Sequence, residues 1–111
     1  MSNYVDVYLL PVPEKNFEAY REQATSFGQI AKEHGALSYR EFRSDDLGDN
    51  LKVEDGQMLT AAVAEFESRA HRDEVMEKVM NDPRVTAMTD DEPVADMDQM
   101  RYGGFETIVD V

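Results

Sequence analysis

Residues 68–84 have the sequence Ser-Arg-Ala-His-Arg-Asp-Glu-Val-Met-Glu-Lys-Val-Met-Asn-Asp-Pro-Arg. Ser68 is suited to begin a helix, because its hydroxyl can accept a hydrogen bond from the amide three residues later. An apolar stripe follows at helical spacing, made of Ala70, Val75, Met76, Val79 and Met80. Asn-Asp-Pro ends this pattern, and the fixed φ of Pro83 suits the start of a short second helix through residue 88. The stretch therefore predicts an amphipathic helix followed by a short one.

Strand patterns lie on both sides of this helical stretch. Side chains alternate at a period of two, which is typical of strands, in residues 4–10, 36–43, 58–67 and 100–111. Residues 14–34 instead place apolar side chains three or four positions apart and predict a helix. Asn16 is a candidate N-cap for that helix, and Gly35 is placed for a left-handed C-terminal cap.

The order of these elements is strand, helix, strand, strand, helix, strand. Two split β-α-β units of this kind form a four-stranded antiparallel sheet with both helices on one face. The charged residues of segment 36–43 favour an edge position, and Gly103-Gly104 indicates a bulge or a close backbone approach. The uncovered sheet face favours self-association. We expect one α+β, ferredoxin-like βαββαβ domain spanning residues 1–111.

Charge and composition exclude several functions. The 111 residues include 24 acidic and 11 basic ones, for a formal net charge of −13. This charge argues against binding nucleic acid or anionic membranes, because phosphate binding relies on clustered Lys and Arg. The absence of cysteine excludes disulfides and thiol catalysis and agrees with a cytoplasmic location. The acidity is typical of a soluble surface, or of adaptation to a saline environment.

No targeting or membrane segment is expected. The sequence has no apolar run long enough to span a membrane, and its N-terminal residues lack the basic and apolar regions of a signal peptide. No metal site is expected either. The two histidines cannot form an all-histidine cage, and the acidic runs at 45–46 and 90–92 do not match an EF-hand loop. No cofactor is predicted.

Five blocks, which together extend over nearly the whole chain, resemble a known family. They are residues 11–21, 33–41, 68–73, 80–84 and 102–105. The family is the set of small bacterial proteins catalogued as domain of unknown function 1428. The resemblance implies a homodimeric α+β barrel of the ferredoxin-like type and no established activity. The chain departs from the family in a shorter loop between the second and third strands and in a less aromatic third strand.

Two residues are candidates for proton transfer. His71 lies at the start of the second helix, where it would serve as a proton-transfer group or a ligand contact, or else as a capping residue packed on Phe66. Asp6 lies in an otherwise apolar strand and, if buried, would act as a general base. The alternative for Asp6, as for Glu65 and Glu106, is an ion pair with Arg40 or Arg101. His34, at the end of the first helix, is expected to interact with the negative end of that helix.

Aromatic residues on the strands are candidates for ligand binding. In a dimeric barrel they would line an apolar cavity between the sheets, or they would fill the interface between subunits. The predicted ligand-binding set is Tyr8, Tyr39, Tyr102, Phe105 and Arg101.

Two functions remain open on these grounds. The first is a non-catalytic homodimer with a binding or regulatory role, which is favoured because the sequence has no nucleophile–base pair, metal cluster or phosphate-binding loop. The second is a cofactor-independent oxygenase or isomerase that acts on a small aromatic or quinone-like ligand in the barrel cavity. The expected partner for either function is a second copy of the chain, and a small molecule is a candidate ligand.

Overall fold

A computed structural model describes residues 3–90 and 92–111. Its four strands are β1 (Tyr4–Pro13), β2 (Ser38–Arg43), β3 (Gln57–Phe66) and β4 (Arg101–Glu106). Its α-helices are α1 (Phe17–Glu33), α2 (Arg69–Met80) and α3 (Pro83–Asp90). The strands form one antiparallel sheet in the order β2-β3-β1-β4. The predicted ferredoxin-like fold is confirmed, and so is the edge position of β2.

The register of the sheet determines which side chains face the helices. Ala64 in β3 pairs with Asp6 in β1 and with Tyr39 in β2, so the three side chains share one face. Helix α2 contacts this face, because Arg72 reaches Asp6. Helix α1 contacts it as well, because Gly28 lies against the ring of Tyr39. We call this side the helix face and the opposite side the open face.

The core lies between the helix face and the three helices. Its largest cluster joins the helices to the sheet through Ile30, Ala31, Ala36, Ala64, Phe66, Val75, Val79 and Val85. A smaller cluster under the start of α1 contains Leu10, Val12, Met58 and Ala95. Ala62 and Ala64 of β3 are buried on the helix face, and their small side chains allow the helices to pack closely. No helix in the described ranges is long and apolar enough to cross a membrane.

Several predicted boundaries differ from the observed ones. Strand β4 ends at Glu106 and not at residue 111, because Glu106 pairs with Tyr4, the first residue of β1. Helix α1 follows a 3₁₀ turn at Glu14–Asn16. The side chain of Asn16 does not cap α1, since its amide donates to the carbonyl of Val94.

The backbone features predicted from glycine are mostly present. Gly35 has a φ of +120° after the end of α1, as predicted for a left-handed cap. Pairing along β4 is continuous, so the glycine pair forms no bulge. The alternative, a close approach, is confirmed at Gly104, where an added Cβ would lie 2.0 Å from the hydroxyl of Tyr4.

The start of α2 follows the prediction, whereas its apolar stripe is narrower. The Ser68 hydroxyl accepts a hydrogen bond from the amide of His71 at 3.1 Å. Val75 and Val79 are buried, but Met80 is 58% exposed and Ala70 is also exposed. The stripe is narrower because the two valines already occupy the side of α2 that faces the sheet.

A buried carboxylate joins the end of α1 to the start of α3. Asp82 caps α3, since its Oδ1 accepts from the amide of Arg84 at 2.9 Å. Its Oδ2 lies 2.8 Å from His34 Nε2 and 2.9 Å from the Arg84 guanidinium. Arg84 also pairs with Glu33 at 2.7 Å. His34 therefore has a carboxylate partner in addition to its position at the end of α1.

Substitution of Gly28 with alanine tests how closely α1 packs on the sheet. Alanine has the higher helix propensity, by about 1 kcal/mol. Its Cβ, however, would lie 2.5 Å from the Tyr39 ring. We expect Gly28→Ala to lower the free energy of unfolding by about 1–3 kcal/mol in urea titrations, because overpacking outweighs propensity. Gly48→Ala, which meets no atom within 4 Å, should have no effect. A Gly28→Ala protein as stable as the wild type would contradict the packing.

The charge of Asp82 predicts a stability that depends on pH. Hydrogen bonds from Arg84 and His34 hold the pKa of Asp82 well below its usual range. A lowered pKa stabilises the fold above the unfolded value of about 4, and this stabilisation is lost as the pH falls below it. Asp82→Asn keeps a capping side chain but removes the charge. In chemical unfolding at pH 7, the wild type should have a higher free energy of unfolding than Asp82→Asn. This difference should shrink below about pH 4. Asp46 is exposed, so Asp46→Asn should have the same free energy of unfolding as the wild type at both pH values.

Candidate functional site

The five residues predicted from the sequence as one ligand-binding set lie on two different faces of the sheet. Tyr8 pairs with Tyr102, and both lie on the helix face, where their rings stack with centroids 6.0 Å apart. Phe105 pairs with Val5 and Arg101 pairs with Leu9, which places these two on the open face. Tyr39 lies on the helix face but across the sheet from Tyr8. The expectation that the five residues line one cavity is therefore wrong.

Asp6 is buried on the helix face and has a cationic partner. It is 4% exposed, and its Oδ1 lies 2.6 Å from Nη1 of Arg72 in α2. The hydroxyl of Tyr8 donates to Oδ2 at 3.1 Å. The predicted partners, Arg40 and Arg101, are wrong for Asp6, because the alternation of the strands puts both on the open face.

Arg72 is the centre of a polar network. Besides Asp6, it contacts Asp73, which lies 2.7 Å from Nε, and its guanidinium lies 5.1 Å from the ring centroid of Tyr4. Partial burial acts to lower the pKa of Arg72, but the hydrogen bond to Asp73 and the charge of Asp6 raise it overall. Burial and the Asp6 carboxylate likewise raise the pKa of Tyr8. Tyr8 therefore remains a protonated donor at neutral pH.

These residues form the floor of an open cleft between α2 and the β1–β4 side of the sheet. The cleft has a volume of about 440 Å³, and we call it the Asp6 cleft. Its walls include Met76 and Met80 of α2 and the exposed ring of Tyr102. Asp6, Tyr8 and Tyr102 were predicted from the sequence, whereas Arg72, one turn after the Ser68 cap, was not. The Arg72–Asp6 contact depends on how α2 docks on the sheet, which the local pattern does not encode.

His71, the other candidate for proton transfer, lines neither this cleft nor the second one described below. Its Nδ1 accepts a hydrogen bond from the amide of Glu67 at 3.0 Å. Its ring packs edge-on against Phe66, with centroids 6.0 Å apart. The geometry is that of a residue packed at the start of α2, and it does not bring His71 together with Asp6.

A second cleft lies between α1 and the edge strand β2, with a volume of about 400 Å³. Tyr39 lines it, and so does Glu41, for which we name it the Glu41 cleft. Glu41 was not among the site residues predicted from the sequence. Its signal was present, because a glutamate two residues after Tyr39 shares a strand face with that aromatic residue.

The remaining carboxylates form no metal centre in the part of the chain that the structure describes. No group of three or more His, Asp or Glu side chains is arranged to hold a metal ion there. Asp91, in the second acidic run, lies outside the described residues. Glu65 accepts from the side chain of Asn3 at 3.0 Å, and Glu106 is exposed at the end of β4.

Removal of the Arg72 charge tests whether it compensates Asp6. Arg72→Met leaves a buried carboxylate unpaired and should lower the free energy of unfolding by about 3 kcal/mol. Asp6→Asn in the same chain removes the unpaired charge, so the double variant should recover most of the loss. Arg69→Met, at an exposed position of the same helix, is the control and should be neutral. Equal losses in the single and double variants would contradict the ion pair.

Comparison with solved structures supports the fold. A dimeric ferredoxin-like protein from an uncultured marine organism has a TM-score of 0.66 and 9% identity, with both chains covered in full. A putative antibiotic biosynthesis monooxygenase from Bacillus cereus has a TM-score of 0.61 and 14% identity, over 100% of this chain and 98% of that one. At these identities the likeness shows a common fold.

Comparison of sequences identifies the family. The uncharacterized protein YbaA of Escherichia coli strain K12 is 34% identical, over 96% of this chain and 97% of that protein. The family model described as a protein of unknown function, DUF1428, matches residues 3–97. The resemblance seen in the five sequence blocks is thereby confirmed, and the chain belongs to the DUF1428 family.

Proposed function

We propose that the protein is a non-catalytic homodimer of one domain per chain that binds a small molecule in the Asp6 cleft. The observation that carries this proposal is the 2.6 Å ion pair between Asp6 and Arg72 beneath an open cleft. Both oxygens of this carboxylate already contact internal partners, Arg72 and the Tyr8 hydroxyl, which favours a structural role for Asp6 over a catalytic one. The cleft above it, with aromatic and methionine walls, is of a size that suits a small ligand.

The open face supports the homodimer. Val5, Val7 and Leu9 of β1 lie beside Ala61 and Val63 of β3 on this side of the sheet. Phe42 is 44% exposed and Phe105 is 54% exposed at the two edges. An apolar sheet face of this kind is stabilised when it is buried against a second copy. Two structures of the same fold are described as dimeric ferredoxin-like proteins, in agreement with this assembly.

The alternative is a cofactor-independent oxygenase or isomerase that acts on an aromatic or quinone-like compound. A fold shared with the putative monooxygenase from Bacillus cereus is its main support. It is the weaker proposal, because Asp6 and His71 do not share a cleft and Asp6 is ion-paired. Turnover of a quinone-like substrate that is lost in His71→Ala would favour it over the binding function.

Location and partners follow from composition. We infer that the protein is cytoplasmic and binds neither nucleic acid nor membranes. Its net charge of −13 and its lack of cysteine support this inference.

A charge at the centre of the open face tests the homodimer. Val7 pairs with Val63 in the middle of the β1–β3 ladder. We expect the wild type to sediment at micromolar concentration with twice the mass of the 12.6 kDa chain. Val7→Glu should sediment as a folded monomer, because a buried unpaired charge is unfavourable. Met80→Glu, on the helix side, should remain a dimer. A wild-type monomer at micromolar concentration would refute the assembly.

Ligand binding in the Asp6 cleft is tested by native mass spectrometry of protein purified without added ligand. We expect a bound small molecule whose occupancy falls in Tyr102→Ala and is unchanged in Phe105→Ala. The two variants are matched because each removes an exposed aromatic side chain of β4. They differ in location, because Tyr102 and Phe105 lie on opposite faces of the sheet. Loss of the molecule in Phe105→Ala alone would place the ligand between the sheets instead.

A further inference from the structure

The Glu41 cleft contains a carboxylate whose two oxygens are both occupied by internal donors. The Tyr20 hydroxyl of α1 donates to Oε1 at 2.5 Å, and the Tyr39 hydroxyl of β2 donates to Oε2 at 2.5 Å. Burial and the neighbouring Glu41 raise the pKa of both tyrosines, which therefore keep their protons. Glu41 is thus satisfied within the fold and does not need a cationic ligand.

The remaining charges that line this cleft are positive. Arg21 projects from α1 and Arg43 from β2, and both line the cleft and are exposed. Neither has an ion-pair partner among residues 3–90 and 92–111, in contrast to Arg72 and Arg84. Arg43 is held in place by the ring of Phe17, whose centroid lies 4.7 Å from its guanidinium carbon. Three other arginines likewise form no ion pair among the described residues, so what distinguishes Arg21 and Arg43 is that both line the same cleft.

The walls of the cleft are aromatic. Phe17, Tyr20 and Tyr39 line it, and the backbone of α1 comes close to the sheet at Gly28. Aromatic walls bind flat apolar groups, whereas guanidinium groups bind carboxylates in a planar, two-point geometry. A ligand with an aromatic ring and a carboxylate group would contact both the aromatic walls and the guanidinium groups of the cleft.

We propose that the Glu41 cleft is a binding site for a small aromatic carboxylate. The aromatic ring lies against Phe17 and Tyr39, and the carboxylate accepts hydrogen bonds from Arg21 and Arg43. The site is separate from the Asp6 cleft, because the two clefts have no lining residue in common. Binding in the Glu41 cleft can therefore be tested separately from the function proposed for the Asp6 cleft.

The test uses three probes of the same shape with different charge: cinnamate, the neutral cinnamyl alcohol and the cationic cinnamylamine. Binding is measured by calorimetry and by changes in amide chemical shift. We expect cinnamate to bind at millimolar concentration or below, with shifts confined to the α1–β2 region. The alcohol should bind about tenfold more weakly, because it loses the charge-assisted hydrogen bonds. The amine should bind most weakly.

Variants assign the binding to the two arginines. Arg21→Gln and Arg43→Gln should each weaken cinnamate binding about tenfold. Arg21→Gln should leave the melting temperature unchanged because the side chain is exposed, and Arg43→Gln should lower it only slightly, since an exposed contact with Phe17 is lost. Arg101→Gln, on the open face, is the matched control and should bind like the wild type. The proposal would be overturned if cinnamate did not bind at millimolar concentration or if all three probes bound equally. It would also be overturned if a variant with both Arg21→Gln and Arg43→Gln bound cinnamate as tightly as the wild type. Loss of binding in Tyr102→Ala would move the site to the Asp6 cleft and would overturn it as well.

Discussion

The alternation of side chains along β1 and β3 is the constraint on which the rest of the structure depends. The two strands pair over ten positions, from Tyr4 opposite Phe66 to Pro13 opposite Gln57. Because the side-chain period of a strand is two, this register sends every second residue toward the helices. Asp6 and Tyr8 thereby come under α2, while Val5 and Val7 remain on the open face. A slip of one residue would bury the wrong set.

Three carboxylates then fix the positions of the helices, two against the sheet and one between helices. Asp6 binds Arg72 and so fixes the start of α2 over β1. Glu41 accepts from Tyr20 and so ties α1 to β2. Asp82 contacts His34 and caps α3, which links the end of α1 to the third helix. Buried or half-buried carboxylates are costly when unpaired, and each of these has at least one partner on another element. The two clefts lie beside the first two of these contacts.

Local sequence patterns predicted most of the fold. Ser68 begins α2, Pro83 begins α3 and Gly35 ends α1, because caps and proline act within a few residues of themselves. The five predicted ligand-binding residues do not share one face, for a reason that the sequence itself contains. Tyr102 and Phe105 are three residues apart in one strand, so they must lie on opposite faces. Alternation applied to β4 as strictly as to β1 would have separated them.

The contacts that define the clefts could not be predicted from local sequence patterns. Asp6 and Arg72 are 66 residues apart, and Glu41 and Tyr20 are 21 apart. Their pairing depends on how each helix is rotated and shifted on the sheet, and neither strand alternation nor helical periodicity specifies that docking. The same holds for Gly28 and Gly104, whose close contacts are made with side chains of other elements.

The central claim is that the open face pairs with a second copy while the helix face carries the clefts. Hydroxyl-radical footprinting over a range of protein concentrations tests it most directly, because aromatic and methionine side chains of similar exposure lie on both faces. Phe42 and Phe105 represent the open face, and Met80 and Tyr102 the helix face. We expect oxidation of the two phenylalanines to fall as the protein concentration rises, while oxidation of Met80 and Tyr102 is unchanged. Protection of Met80 and Tyr102, with the phenylalanines still oxidised, would contradict it.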